Sequence, residues 1–211
     1  MKGDVARKGK AQADAGEPDL VALLGSRICH DLVNPLGAVG NGLELMAMTG
    51  RAEGEEMALA RSALDAGLAR IAMFRIAFGH AAPDLMIPAS EMRELIGKMY
   101  ASTRTKVLWR DDADRSRPEM RLATLALLCI ETATPWGATI EVTRNPNAWV
   151  FHTDAKRLRI DAALWHALGR GEAPADLKGA EVQFGILGRA CRAIRRPISV
   201  SADDRHLSLL V

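Results

Sequence analysis

CHDLVNPLGAVGNG, from Cys29 to Gly42, sets a histidine and an aspartate side by side in a stretch whose apolar residues keep helical spacing. Leu24, Ile28, Leu32, Leu36, Val39, Leu43 and Met46 recur at steps of three and four, which predicts one apolar stripe along one helix. At about 100° per residue, His30 lies about 200° from Ile28 and about 160° from Leu32, so it faces away from that stripe. Asn34, Gly37 and Asn41 follow it on the same line, which is small and polar. Gly37, Gly40 and Gly42 each weaken a helix by roughly 0.5–1 kcal/mol against alanine. Pro35 removes a hydrogen bond to the Asp31 carbonyl and bends the helix. A helix that accepts these losses beside one imidazole leaves room for something bulky to approach it.

Working outward, Pro18-Asp19 predicts the start of this helix and Thr49-Gly50 its stop. A second helix begins near Gly54-Glu55, where Met57, Ala60, Leu64, Gly67, Ile71, Phe74 and Phe78 alternate by three and four, a heptad spacing. The short turn from Gly50 to Gly54 makes the pair an antiparallel hairpin over residues 19–82. Two amphipathic helices cannot enclose a core alone, so a second copy of the hairpin is expected to complete a four-helix bundle, making the protein a homodimer. Residues 1–18 carry no apolar core and are expected to be a flexible tail, not a signal peptide.

From residue 83 the texture changes. Pro88 to Tyr100, Leu122 to Thr132, Asp161 to Leu168 and Ala180 to Ile194 have helical patterning. Lys106 to Trp109, Ala138 to Thr143, Trp149 to His152, Ile198 to Val200 and His206 to Val211 read as strands. Asn145-Pro146-Asn147 is the turn of a hairpin. The fold class is therefore α+β: a helical hairpin, then a sandwich of helices on mostly antiparallel strands over residues 83–211.

Composition limits the chemistry. Lysine and arginine number 28 against 26 acidic residues, a net charge of +2, so no global field attracts nucleic acid or anionic lipid. The runs Lys156 to Arg159 and Arg189 to Arg196 are expected to be solvated helix faces, and without interleaved aromatics they give nucleic-acid binding little support. No run of eighteen apolar residues predicts a membrane span. Cys29, Cys129 and Cys191 are far apart with no CxxC pair, as expected for reduced thiols in a cytoplasmic protein. His80, His152, His166 and His206 lack metal-ligand spacing, so neither a metal nor a cofactor is expected.

One His-Asp pair on a helix is ordinarily a solvated pair. Cys29 and His30, as helix neighbours, diverge by about 100° and form no dyad. The chemistry left to His30 is that of a nucleophile, accepting a phosphoryl group as a transient phosphoramidate.

His30-Asp31-Leu32-Val33-Asn34-Pro35-Leu36 resembles the H-box of dimerising sensor histidine kinases, and CHDLVNPLGAVGNGLELM is closer still to the ChpT-type histidine phosphotransferases of bacterial phosphorelays. The resemblance implies a dimeric four-helix bundle followed by a histidine-kinase-ATPase-like domain that does not use ATP. In agreement, the helix from Leu125 to Thr132 has no asparagine, Asp176-Leu177-Lys178-Gly179 is not a DxGxG loop, and Gly185 and Gly188 lack phosphate-cradling spacing. It implies a relay in which response-regulator receiver domains, carrying their own Mg²⁺, hand phosphoryl groups to His30 and take them away. Asp31 then orients the imidazole or accepts its proton, and Asn34 hydrogen-bonds the phosphoryl oxygens. Arg27, Gly37, Ala38 and Asn41 form the docking surface. A phosphate-free, pseudokinase-like dimeric scaffold is the alternative; it accounts for the missing nucleotide loops but not for the intact string around His30.

Overall fold

The heptad spacing that begins at Met57 produces one uninterrupted helix, Glu55–Phe78 (α2). The computed structural model describes residues 31–32, 35–43, 45–46, 48, 54–79, 84–174 and 176–211. Those described between 31 and 48 are helical and form α1. The expected tail over 1–18, the helix start at Pro18-Asp19, the stop at Thr49-Gly50 and Cys29 lie outside the described residues.

The apolar pattern of α2 divides between two surroundings. Ala60, Gly67 and Phe74, each seven residues apart, are buried within the chain. Leu64 and Ile71, the other heptad position, are 42% and 44% exposed, and Leu68 beside them is 55% exposed. On α1, Leu36 and Leu43 are likewise 58% and 52% exposed. The two helices meet where Pro35 crosses Gly67: a Cβ on that glycine would lie 3.2 Å from the Pro35 Cβ and 3.3 Å from its Cγ. Only glycine admits so close an approach without displacing the ring.

The remaining elements are β1 (Met86–Ile87), α3 (Ala89–Tyr100), β2 (Lys106–Trp109), β3 (Arg115–Ser116), α4 (Arg117–Ala133), β4 (Thr139–Arg144), β5 (Trp149–Asp154), α5 (Ala162–Gly169), a 3₁₀ turn at Gly179–Glu181, α6 (Val182–Ala193), β6 (Ser199–Ala202) and β7 (His206–Leu210). Strands β2-β4-β5-β7-β6 make a mixed sheet; β2 runs parallel to β4 and the other neighbours are antiparallel. Period-two alternation sends Ile140, Val142, Trp149, Phe151, Leu207 and Leu209 into the core and leaves His152 exposed. The β4–β5 turn is closed by Asn145, whose Oδ1 accepts from the Asn147 and Ala148 amides at 3.0 and 2.7 Å. Asp161 caps α5 in the same way, accepting from the Ala163 and Leu164 amides.

Two features differ from the sequence reading. The small ribbon of β1 and β3 was not foreseen, and α4 begins five residues before Leu122, because its first turn, Arg117-Pro118-Glu119, is polar and carries no apolar signal. The basic runs also sit differently. Lys156 to Arg159 lies in the connection between β5 and α5, not on a helix. Arg196 is largely covered, and both its terminal nitrogens donate to Glu119 of α4, at 3.2 and 2.8 Å.

The α2 helix does not stand apart from the sheet layer. Met73, Phe74, Ile76 and Ala77 share one apolar core with α3, α4 and the sheet. The last four carbonyls of a helix have no partner inside it. At this end of α2, guanidinium groups of α4 reach two carbonyls: Arg121 donates to the Ala77 carbonyl at 3.1 Å, and Arg117 donates to the Arg75 carbonyl at 2.5 Å beside the Gly79 amide that already bonds it.

Candidate functional site

His30, Asn34 and Arg27 lie outside the described residues. The structure does describe the rest of the predicted surface. Gly37 and Asn41 are exposed, and Ala38 and Asp31 are half-buried. A Cβ built on Gly37 or on Gly40 meets no atom within 4 Å, so bulk is absent from this face of α1. The packed side of the same helix is set by Pro35 on Gly67, which fixes how deeply α1 seats on α2.

A charged group that the sequence reading did not single out faces this region from α2. Arg70 donates from a terminal nitrogen to Glu131 Oε2 of α4 at 2.8 Å. Tyr100, the last residue of α3, donates from its hydroxyl to Glu131 Oε1 at 2.7 Å. Burial alone would lower the Arg70 pKa. The Glu131 carboxylate opposes this through its charge and hydrogen bond, with further contributions from Tyr100 and from Asp31 of α1, and the net effect is to raise it. Arg70 is therefore a fixed cation between α1 and the sheet layer. The signal available in sequence was Glu131, a lone carboxylate inside the apolar run from Leu122 to Ala133, because a charge so placed requires a partner.

The segments that sequence compared with nucleotide loops have other occupations. Leu177 is buried, and Lys178 and Glu181 close the 3₁₀ turn, the Glu181 carboxylate accepting from the Lys178 amide at 3.1 Å. Gly188 lies inside α6 against the turn at Gly171, whose φ of +66° suits glycine; a Cβ on Gly188 would be 3.1 Å from the Gly171 carbonyl carbon. The polar side chain between α4 and α6, Gln183, spends its amide hydrogens on Thr132 Oγ1 at 2.9 Å and the Ala180 carbonyl at 3.0 Å. Cys129 and Cys191 are buried and are not disulfide-bonded. No group of metal-ligating side chains occurs among the described residues, and no helix among them is long and apolar enough to cross a membrane.

The comparisons with known proteins agree with the family resemblance read from the sequence. Residues 89–206, more than half of the chain, match the family described as the histidine phosphotransferase C-terminal domain. The protein phosphotransferase ChpT of Brucella abortus (strain 2308) is 28% identical over 195 residues, covering 88% of this chain and 92% of that protein. The solved structure of a bacterial phosphotransferase superposes with a TM-score of 0.72 at 27% identity, covering 91% of this chain and 95% of that one. The chain belongs to the histidine phosphotransferase family, and its function is that of a phosphorelay histidine phosphotransferase.

Proposed function

We propose that the chain relays phosphoryl groups between receiver-domain aspartates through His30, as a cytoplasmic homodimer that neither binds ATP nor carries a metal of its own. One imidazole nitrogen attacks the phosphorus of a receiver aspartyl phosphate, and the P–O bond breaks with its electrons left on the aspartate. The phosphoryl group then passes from the nitrogen to the aspartate of a second receiver. The receiver's Mg²⁺ supplies charge neutralisation, and this chain supplies position. Asp31 orients the imidazole or takes its proton, and Asn34 hydrogen-bonds the phosphoryl oxygens. Arg27, Gly37, Ala38 and Asn41 meet the docking receiver.

The observation that carries this reading is the string from His30 to Pro35 lying beside a face with no bulk over Gly37 and Gly40. The homodimer is supported by the exposed leucines and isoleucine on α1 and α2. They lie at alternate heptad positions while their neighbours are buried, which is the pattern of two helices awaiting two more. The absence of an ATP site is supported by Leu177 and Gly188, whose segments are closed by packing where a phosphate loop would need open backbone amides. The second unit is then a kinase-ATPase-like sandwich retained as a body for docking.

Two measurements test this. Mixing one phosphorylated receiver, one unphosphorylated receiver and this chain should move label to the second receiver only when the chain is present; transfer at the same rate without it contradicts the relay. Calorimetry with Mg-ATP should give millimolar binding or weaker, about 4 kcal/mol or less, and micromolar binding contradicts the ATP-free reading.

A further inference from the structure

The Arg70–Glu131–Tyr100 cluster joins three helices, and nothing in the relay as described so far uses it. Its place follows from the register of the hairpin. Pro35 of α1 rests on Gly67 of α2, and the paired positions spread apart away from the connecting turn, as antiparallel helices require. One turn back from Pro35 on α1 is Asp31; one turn on from Gly67 on α2 is Arg70. Arg70 thus belongs to the turn of α2 that faces Asp31, the sequence neighbour of His30. From that turn its guanidinium reaches across to Glu131, half-buried near the C-terminal end of α4, and Tyr100 holds the other carboxylate oxygen. The guanidinium carbon also lies 6.0 Å from the centre of the Phe74 ring, one turn further along α2, so an aromatic face backs the pair.

An ion pair with this placement is poorly suited to adding stability, because desolvating two charges offsets most of their attraction. It is well suited to fixing a geometry, because Glu131 accepts from two donors on two different helices and can satisfy both in one arrangement only. We propose that Arg70 is a positioning residue for phosphoryl transfer: gripping Glu131 from α2, it locks the turn of α2 opposite Asp31 to the sheet layer and so fixes the phosphoacceptor helix against the body of the protein. The inference rests on the reading of His30 as the acceptor. It assigns to Glu131, on the α4 helix that lacks the asparagine of catalytic kinase domains, a mechanical task in its place.

The test is the rate of label transfer from a phosphorylated receiver to the full chain, measured over a range of receiver concentrations and expressed per folded molecule, for the wild type, Arg70→Ala, Arg70→Lys, Glu131→Gln and Tyr100→Phe. Networks that couple two parts of a protein typically carry 0.5–2 kcal/mol, so Arg70→Ala and Glu131→Gln should each lower kcat by about 2- to 30-fold. KM for the receiver should stay unchanged, Arg70→Lys should recover most of the rate, and a chain carrying both Arg70→Ala and Glu131→Gln should be no slower than the slower of those two single variants. If Arg70→Ala does not fold, Tyr100→Phe, which keeps the ring and removes only one donor, should still lower kcat. Wild-type kcat in folded Arg70→Ala, Glu131→Gln and Tyr100→Phe, with only a lower Tm, overturns the positioning role while leaving the relay intact. A wild-type chain that accepts no label overturns both.

Discussion

The sheet layer and the helical hairpin are built from the same aliphatic residues but satisfy them differently. In the sheet layer every large inward side chain is enclosed: Trp149, Phe151 and Phe184 have no measurable exposure, and α4 is buried along nearly all its length. In the hairpin one heptad position, Ala60, Gly67 and Phe74, is enclosed, while its alternate, Leu64 and Ile71, faces outward together with Leu36 and Leu43. The first region is complete as a single chain; the second has the form of half a structure. The proposed homodimer would therefore meet through the hairpin and not through the sheet layer.

Removing Phe151 should produce the largest effect. Phe151→Ala leaves a cavity in a core that nothing outside the chain can fill, and should cost about 3–5 kcal/mol, measured by urea unfolding at any protein concentration. An effect that depended on concentration would mean that the sheet layer, too, is completed by a partner.

Leu64→Arg or Ile71→Arg should act on the other region. Each side chain buried in the bundle is worth about 1.5–3 kcal/mol, so light scattering should find a dimer for the wild type and the 22.8 kDa monomer for the variant. A folded wild-type monomer at micromolar concentration would show that the exposed face has another use.

Acid should weaken the sheet layer through Glu119. Burial works to raise its pKa, but the hydrogen bond and charge of Arg196, with Arg144, hold it below the ordinary glutamate value. A depressed folded pKa gives stability that is present above the unfolded value, about 4.3, and lost as pH falls through the folded value. The stability difference between wild type and Glu119→Gln should therefore be full at pH 7 and shrink below about pH 4. A difference that stayed constant to pH 3 would remove the ionic account of this contact.

The smallest effect is expected on the open face of α1. Gly37→Ala meets no neighbouring atom, so it should stabilise the helix by roughly 0.5–1 kcal/mol while slowing transfer from a receiver. Gain of stability with unchanged transfer would mean that the cleared surface is not where receivers dock.

Much of the sheet layer was legible because period-two alternation and strong turn residues such as Asn145-Pro146-Asn147 leave little choice of register. The ribbon of Met86–Ile87 with Arg115–Ser116 was not legible, because two-residue strands carry no period. The hairpin's stripe was read as one surface, and the division into buried and exposed heptad positions emerged only in three dimensions, since both positions are apolar. At the site, the run from His30 to Asn41 announced itself through glycine and proline placed against helix propensity. Arg70 did not, because an arginine beside an apolar stripe has the same sequence signature whether it is solvated or paired across the structure with Glu131.

The central claim is that His30 alone carries the phosphoryl group, and it is tested most directly by exposing the wild type and His30→Ala to a phosphorylated receiver and measuring acid-labile, base-stable label on this chain. The account predicts label on the wild type and none on His30→Ala, with both proteins equally folded by circular dichroism. Persistent label on folded His30→Ala would contradict it.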